Sequence, residues 1–101
     1  FCMLFLLITA SNAFSQEKFT LSGTIADHSN NETLIGASII ISEAKSASTV
    51  TNSYGFYSIT LPKGDYTVII SYMGFETIQE SISLTANTTK NFSMFEKSST
   101  L

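Results

Sequence analysis

From Phe19 onward the apolar side chains fall on every second position, and this period of two constrains the fold more than any other feature. It is the period of a strand with one buried face, whereas a helix would need apolar residues three and four apart. Phe19, Leu21, Gly23 and Ile25 share one face of a first strand, and Lys18, Thr20, Ser22 and Thr24 share the other. Gly23 stands in the inward row, which suggests that another backbone passes close to it. Ser38–Ser42 carries three successive β-branched residues and reads as a strand buried in part on both sides. Thr49–Thr51 is a short extended piece, closed by the turn Asn52–Gly55 with Gly55 at positive φ.

Tyr57, Ile59 and Leu61 alternate inward, Pro62–Asp65 turns the chain, and Tyr66, Val68 and Ile70 alternate again. The pattern predicts a β-hairpin over Tyr57–Ile70, with Gly64 in the left-handed conformation and the register pinned by the turn. Ile78, Ile82 and Leu84 mark a further strand, and Phe92 and Met94 another, with a turn at Ala86–Thr88. About six or seven short strands without a helix predict a single all-β, antiparallel sandwich of Greek-key type. An outer-membrane barrel also alternates, but its strands run to ~9–11 residues and carry a lipid-facing belt that is missing here.

Ahead of the alternating region, Phe1–Ala10 is apolar and uncharged, the length of a signal-peptide core and short of the ~20 residues of a membrane-spanning helix. Ala13 and Ser15 place small residues where a signal peptidase reads, so residues 1–15 are expected to be a signal peptide and Gln16 the mature N-terminus. A buried core helix is the alternative. Phe1 in place of an initiator Met reads as a missing start, which also accounts for the absent basic n-region. Residues 16–96 are expected to form one domain, and 97–101 to begin a linker to a downstream region.

The only cysteine, Cys2, lies in the predicted leader, so the mature chain is expected to have neither disulfide nor thiolate metal ligand. The net charge is −3 with five lysines and no arginine, which disfavours nucleic acid as a partner, because phosphate binding needs clustered cations.

No residue pattern points to catalysis. His28 is the sole histidine and has no second ligand to complete a metal site. Asp27, Asn30, Asn31 and Glu32 supply oxygens but lack the spacing and central glycine of a calcium loop, and read as an Asx-rich turn. Ser22, Ser58 and Ser71 lie on strands without a base or a nucleophile elbow. The chain is therefore expected to be a non-enzyme without cofactor or metal. Aromatic residues flanking turns are the remaining candidates for contact with a ligand or partner: Tyr54, Phe56 and Phe75, with Tyr72 beside them. Phe56 is the strongest of these, because it alternates with Tyr57 and must face away from the core row.

Leu21–Asp27, Leu34–Ile39, Thr51–Ile59, Gly64–Tyr66 and Ser71–Phe75, in this order, resemble the carboxypeptidase-regulatory-like domain. The resemblance spans about Lys18 to Met94 and implies a transthyretin-like, seven-stranded sandwich. Ile35 stands where that family commonly has proline, and Asn52 where it often has aspartate. The zinc-binding His-x-x-Glu motif of the carboxypeptidases is absent, since Asn31 follows His28 at that spacing.

Behind a signal peptide, and with the Ser71–Phe75 motif, the domain is similar to the N-terminal extension of TonB-dependent outer-membrane receptors resembling SusC. That resemblance implies a place at the periplasmic face of the outer membrane and a role in glycan or siderophore import. The implied partners are the plug and barrel of the same receptor, and TonB or another periplasmic protein by strand addition, with no membrane span in this stretch. An accessory domain of a secreted peptidase or glycan hydrolase, or a surface adhesion or carbohydrate-binding domain, is the alternative.

Overall fold

The computed structural model describes residues 17–98. The predicted leader and residues 99–101 of the predicted linker lie outside the described residues. Among the described residues there are eight strand segments: β1 Lys18–Asp27, β2 Ser38–Ile41, β3 Thr49–Val50, β4 Phe56–Pro62, β5 Gly64–Ser71, β6 Ile78–Leu84, β7 Thr88–Thr89 and β8 Phe92–Met94. A 3-10 turn at Lys45–Ala47 lies between β2 and β3. Among the described residues no helix is long and apolar enough to cross a membrane.

The strands form two sheets. In the first, β1 lies between β4 and the pair β7 and β8; in the second the order is β3-β2-β5-β6. Their inner rows meet in one core, where Leu21, Ile25, Ile39, Ile41, Val68, Ile70, Leu84 and Met94 are fully buried. Each such side chain contributes about 1.5–3 kcal/mol by leaving water. Period two thus placed the inner rows of β1, β4 and β5 correctly, and the half-buried Ile40 between the buried Ile39 and Ile41 fits the strand read as covered in part on both sides.

Three expectations are corrected. The predicted hairpin over Tyr57–Ile70 does not form, because β4 pairs with β1 while β5 pairs with β2 and β6. The Pro62–Gly64 connection instead carries the chain from one sheet to the other. Two inward-alternating strands joined by a short turn can face each other across a core as readily as they can lie side by side. Gly64, accordingly, is not among the residues at positive φ, which are Asn31, Gly36, Gly55 and Gly74; it opens β5 opposite Leu84.

The second correction concerns direction. The sandwich is mixed rather than wholly antiparallel, since β7 and β8 both run parallel to β1. The chain crosses back between β6 and β7, and so returns along β1 in the same sense. The third concerns strand number, eight segments in place of seven. β8 keeps the register of β7, with Leu21 opposite Thr88 and Ile25 opposite Phe92. The ladder opens between them, because at Lys90 and Asn91 the chain bulges toward Gly23.

That bulge explains Gly23. A methyl added there would overlap the Lys90 carbonyl oxygen and lie 2.6 Å from its carbon and 2.9 Å from Asn91 Oδ1. The Asn91 side chain stands in for the missing ladder, its Oδ1 accepting from Thr24 N–H at 2.9 Å and from the Thr24 hydroxyl at 3.2 Å. Tyr57, the cross-strand partner of Gly23, reaches over the vacant position and donates its hydroxyl to the Lys90 carbonyl at 2.6 Å. Beside it Lys90 Nζ meets Glu80 of the second sheet at 2.7 Å, so the seam between β6 and β7 is tied by an ion pair.

Burial first, and the Glu80 charge second, push the Tyr57 phenol up to about 12. In the unfolded chain it titrates near the ordinary value of 10. The folded state therefore holds the proton more tightly. The stability this confers is complete below pH 10 and is lost as the pH rises toward 12. Tyr57→Phe is expected to cost about 1 kcal/mol at neutral pH through the lost hydrogen bond. It should also flatten the alkaline fall of chemical-denaturation midpoints relative to the parent chain; an unchanged alkaline slope would contradict this role.

Candidate functional site

The loops that follow β1, β3, β5 and β8 all lie at one end of the sandwich, the end where β1 and β8 finish and β2 and β6 begin. Their sequences dictate tight turns, and each turn pushes an apolar side chain outward.

In the first loop Asp27 is buried, and its Oδ1 accepts from both the N–H and the hydroxyl of Ser29 at 2.9 Å. Asn31, at φ 62°, donates its N–H to the Asp27 carbonyl, and Asn30 Oδ1 accepts from Glu32 N–H. Asp27 Oδ1 and Asn30 Oδ1 are thus engaged in the turn, and among the described residues no three His, Cys, Asp or Glu side chains gather. His28 stacks on Phe95, with ring centroids 4.2 Å apart. Further along the loop, Ile35 is exposed.

The turn after β3 is built by Asn52, whose Oδ1 accepts from the N–H groups of Tyr54 and Phe56 at 2.9 and 3.1 Å. Asparagine supplies the same acceptor oxygen that aspartate would. Gly55 has φ 73°, and a side chain there would run into Thr33 of the first loop. The two loops are locked by Thr51, which is buried: its hydroxyl donates to the Leu34 carbonyl at 2.6 Å and accepts from Ala37 N–H at 2.8 Å. Standing on this base, Tyr54 is 77% exposed and Phe56 40% exposed, on the outer face opposite Thr24.

The loop after β5 turns at Gly74 and leaves Met73 90% exposed. Phe75 behaves differently: it is partly buried against the core and its ring lies 5.6 Å from that of Tyr72. The chain beyond β8 pairs with this loop, Phe75 lying antiparallel to Glu96, with Glu76 N–H donating to the Phe95 carbonyl and Lys97 N–H to the Gly74 carbonyl. Phe95 is left exposed beside His28.

The end therefore presents Ile35, Tyr54, Phe56, Met73 and Phe95, and Val50 adjoins them at the end of β3. Of the aromatic residues singled out from the sequence, Tyr54 and Phe56 lie on this surface, while Phe75 packs beneath it. Ile35, Met73 and Phe95 were missed. Phe95 was within reach, because it follows the inward Met94 by one residue, the same alternation that marked Phe56.

A shallow hollow of about 340 Å³ lies elsewhere, on the outer face of β5 and β6, lined by Glu43, Asp65, Thr67, Ser81 and Ser83 among others. Its carboxylates are engaged within the fold. Glu43 accepts from the N–H and the hydroxyl of Thr67 at 2.8 and 3.0 Å, and the backbone N–H foremost holds its carboxyl below the ordinary value. Asp65 accepts from Ser83. His28 is held at the other end of the sandwich, on Phe95.

Comparison with curated proteins yields no match. Among solved structures, similarity extends to the type II Cohesin-X-Dockerin complex of Acetivibrio cellulolyticus, in the form of an N-terminal interface mutant, at 23% identity and TM-score 0.64 over 77% of this chain and 58% of that one. The Bacillus anthracis TIE protein is similar at 20% identity and TM-score 0.60, over 78% of this chain and 17% of that one. BcpA, the major pilin subunit of Bacillus cereus, is similar at 15% identity and TM-score 0.61, over 79% and 30%. The chain thus spans little more than half of the first of these and less of the others, and at such identities the likeness establishes the all-β sandwich fold alone. A family model for the CarboxypepD_reg-like domain matches residues 21–101, and the chain belongs to that family.

Proposed function

We propose that this domain is a non-enzymatic accessory module that docks through its loop end, and that it forms the amino-terminal extension of a TonB-dependent receptor importing glycans or siderophores. The observation that carries the docking role is the grouping of Ile35, Tyr54, Phe56, Met73 and Phe95 at one end of the sandwich. Exposed apolar side chains gathered in this way mark contact surfaces, with aromatic residues as the usual anchors. The proposed occupant is the plug of the same receptor, at the periplasmic face of the outer membrane. β8 leads the chain out through Phe95 at this end, so a following plug would begin beside the surface that receives it. The receptor assignment is supported by family membership together with the Ser71–Phe75 motif and the apolar segment ahead of the domain.

Deleting Lys18–Met94 from the full-length receptor, with the leader and everything downstream retained, should reduce uptake while barrel assembly stays normal. Unaltered transport sinks the receptor role. The double substitution Tyr54→Ala with Phe56→Ala should weaken binding to the separately produced downstream region by roughly tenfold, equivalent to ~1.4 kcal/mol. The melting temperature should move little, since neither ring belongs to the core. Equal affinity of parent and variant removes the loop end from consideration.

A surface-assembly role is the second reading, favoured by the fold-level likeness to a pilin subunit and to a cohesin-dockerin complex. The adjoining reading frame separates the two: a short hydrophobic box and a plug belong to the receptor, and repeated sandwich domains to the assembly.

A further inference from the structure

The four sheet edges are not equally guarded. β3 has two residues, too few to template a strand. β6 carries Glu80 on its inward row, tied to Lys90, and the β7 and β8 edge is broken by the bulge at Lys90–Asn91. Short strands, inward charges and bulges are the devices that stop an edge from recruiting another strand. β4 has only Pro62, at its last position, to guard it; Phe56-Tyr57-Ser58-Ile59-Thr60-Leu61 ahead of it is uncharged, unbulged and regularly alternating.

The hydrogen bonds reveal which β4 groups face outward. Ile25 N–H donates to the Gly55 carbonyl and Lys63 N–H to the Glu17 carbonyl. In an antiparallel ladder bonded pairs alternate, so Tyr57, Ile59 and Leu61 bond to β1, and Phe56, Ser58, Thr60 and Pro62 turn their backbone groups away from it. The outward groups of Phe56 are taken by Asn52, and the Pro62 carbonyl by the Tyr66 hydroxyl. Those of Ser58 and Thr60 have no backbone or side-chain partner among the described residues.

We propose that the β4 edge pairs antiparallel with β4 of a second copy of this chain, about a two-fold axis at Ile59. The spacing of the free groups fits this occupant. Ser58 falls opposite Thr60 of the other copy and Thr60 opposite its Ser58, so four backbone hydrogen bonds form and none of the free groups is left over. Asn52 and the Tyr66 hydroxyl close the ladder at Phe56 and Pro62, so the pairing is confined to Ser58–Thr60 of each copy. No charges confront each other within the pair. The first sheets of the two copies then run on as one, an isologous contact of the kind two-fold dimers require.

Hydrogen exchange and sedimentation on this chain, over a concentration series, test the proposal. The expected result is a shift from monomer to twice the monomer mass as concentration rises. With it, the Ser58 and Thr60 amides should gain protection, while those of Tyr57, Ile59 and Leu61 are protected throughout. Ser58→Pro removes one outward donor without touching the β1 ladder and should abolish the dimer. Should proline disturb the strand, Ser58→Lys with Thr60→Lys is the second variant: both side chains are exposed, and the lysines would confront each other directly across the dimer. A chain monomeric at every concentration overturns the proposal and leaves the edge to an extended segment of another protein. A dimer that survives both variants, or that protects other amides, overturns it as well.

Discussion

Gly23→Ala should destabilise the sandwich by about 3 kcal/mol or more, a large share of the roughly 5–15 kcal/mol that holds a domain folded. The added methyl would overlap the Lys90 carbonyl, and neither party can yield cheaply. Gly23 is bonded into the centre of the first sheet, opposite Tyr57. Lys90 is held by its N–H to the Ser22 carbonyl at 2.7 Å, and its own carbonyl receives the Tyr57 hydroxyl. Relief therefore requires β7 and β8 to move away from β1, which would break the Asn91 bonds to Thr24 and uncover Phe92 and Met94. Urea unfolding would show a large fall in midpoint, or no cooperative transition at all. An alanine variant within about 1 kcal/mol of the parent would mean that the bulge is softer than its hydrogen bonds imply.

Thr51→Val should cost about 2–4 kcal/mol although volume and shape barely change. The threonine hydroxyl is both donor and acceptor in a buried place, giving its proton to Leu34 and receiving that of Ala37. Valine removes both bonds and leaves a backbone carbonyl and a backbone N–H without partners where water does not reach. The cost is that of desolvating two groups, which is why it exceeds the worth of one ordinary hydrogen bond. Thr51→Ser keeps the hydroxyl and should recover most of the loss. If valine and serine destabilise equally, the methyl contact and not the hydroxyl is what matters. Because Leu34 and Ala37 bracket Ile35, the valine variant should also raise exchange rates across Thr33–Ala37.

Much of the fold was legible because strand periodicity reports which side chains face inward. Leu21, Ile25, Ile59, Leu61, Val68 and Ile70 were assigned to the core from alternation alone, and all are buried. Gly23 and Gly55 were legible for the same kind of local reason: a glycine in an inward row needs a close neighbour, and one closing a turn needs positive φ. The neighbour of Gly23 was not legible, since Lys90 lies far along the chain and nothing in its own surroundings points back. At the loop end, Tyr54 and Phe56 could be found because they flank a readable turn. Met73 and Ile35 could not, because each lies in a turn, where no strand alternation fixes the facing of a side chain and only the three-dimensional path shows what is left outside.

The residues from Lys18 to Met94 thus carry, in their own periodicity, the all-β character of this region, the identity of its inner rows and the positions of its turns. These are properties of one strand or one turn, decided by side-chain alternation and local backbone sterics. Which strands lie side by side is a property of pairs. The alternation of Tyr57–Leu61 and Tyr66–Ile70 is equally satisfied by a hairpin and by two strands facing each other across a core, and packing chose the second. The parallel course of β7 and β8, the free edge of β4 and the burial of Thr51 follow from that choice. They rest on contacts between segments distant in the chain, and those exist only once the two sheets have closed on one another.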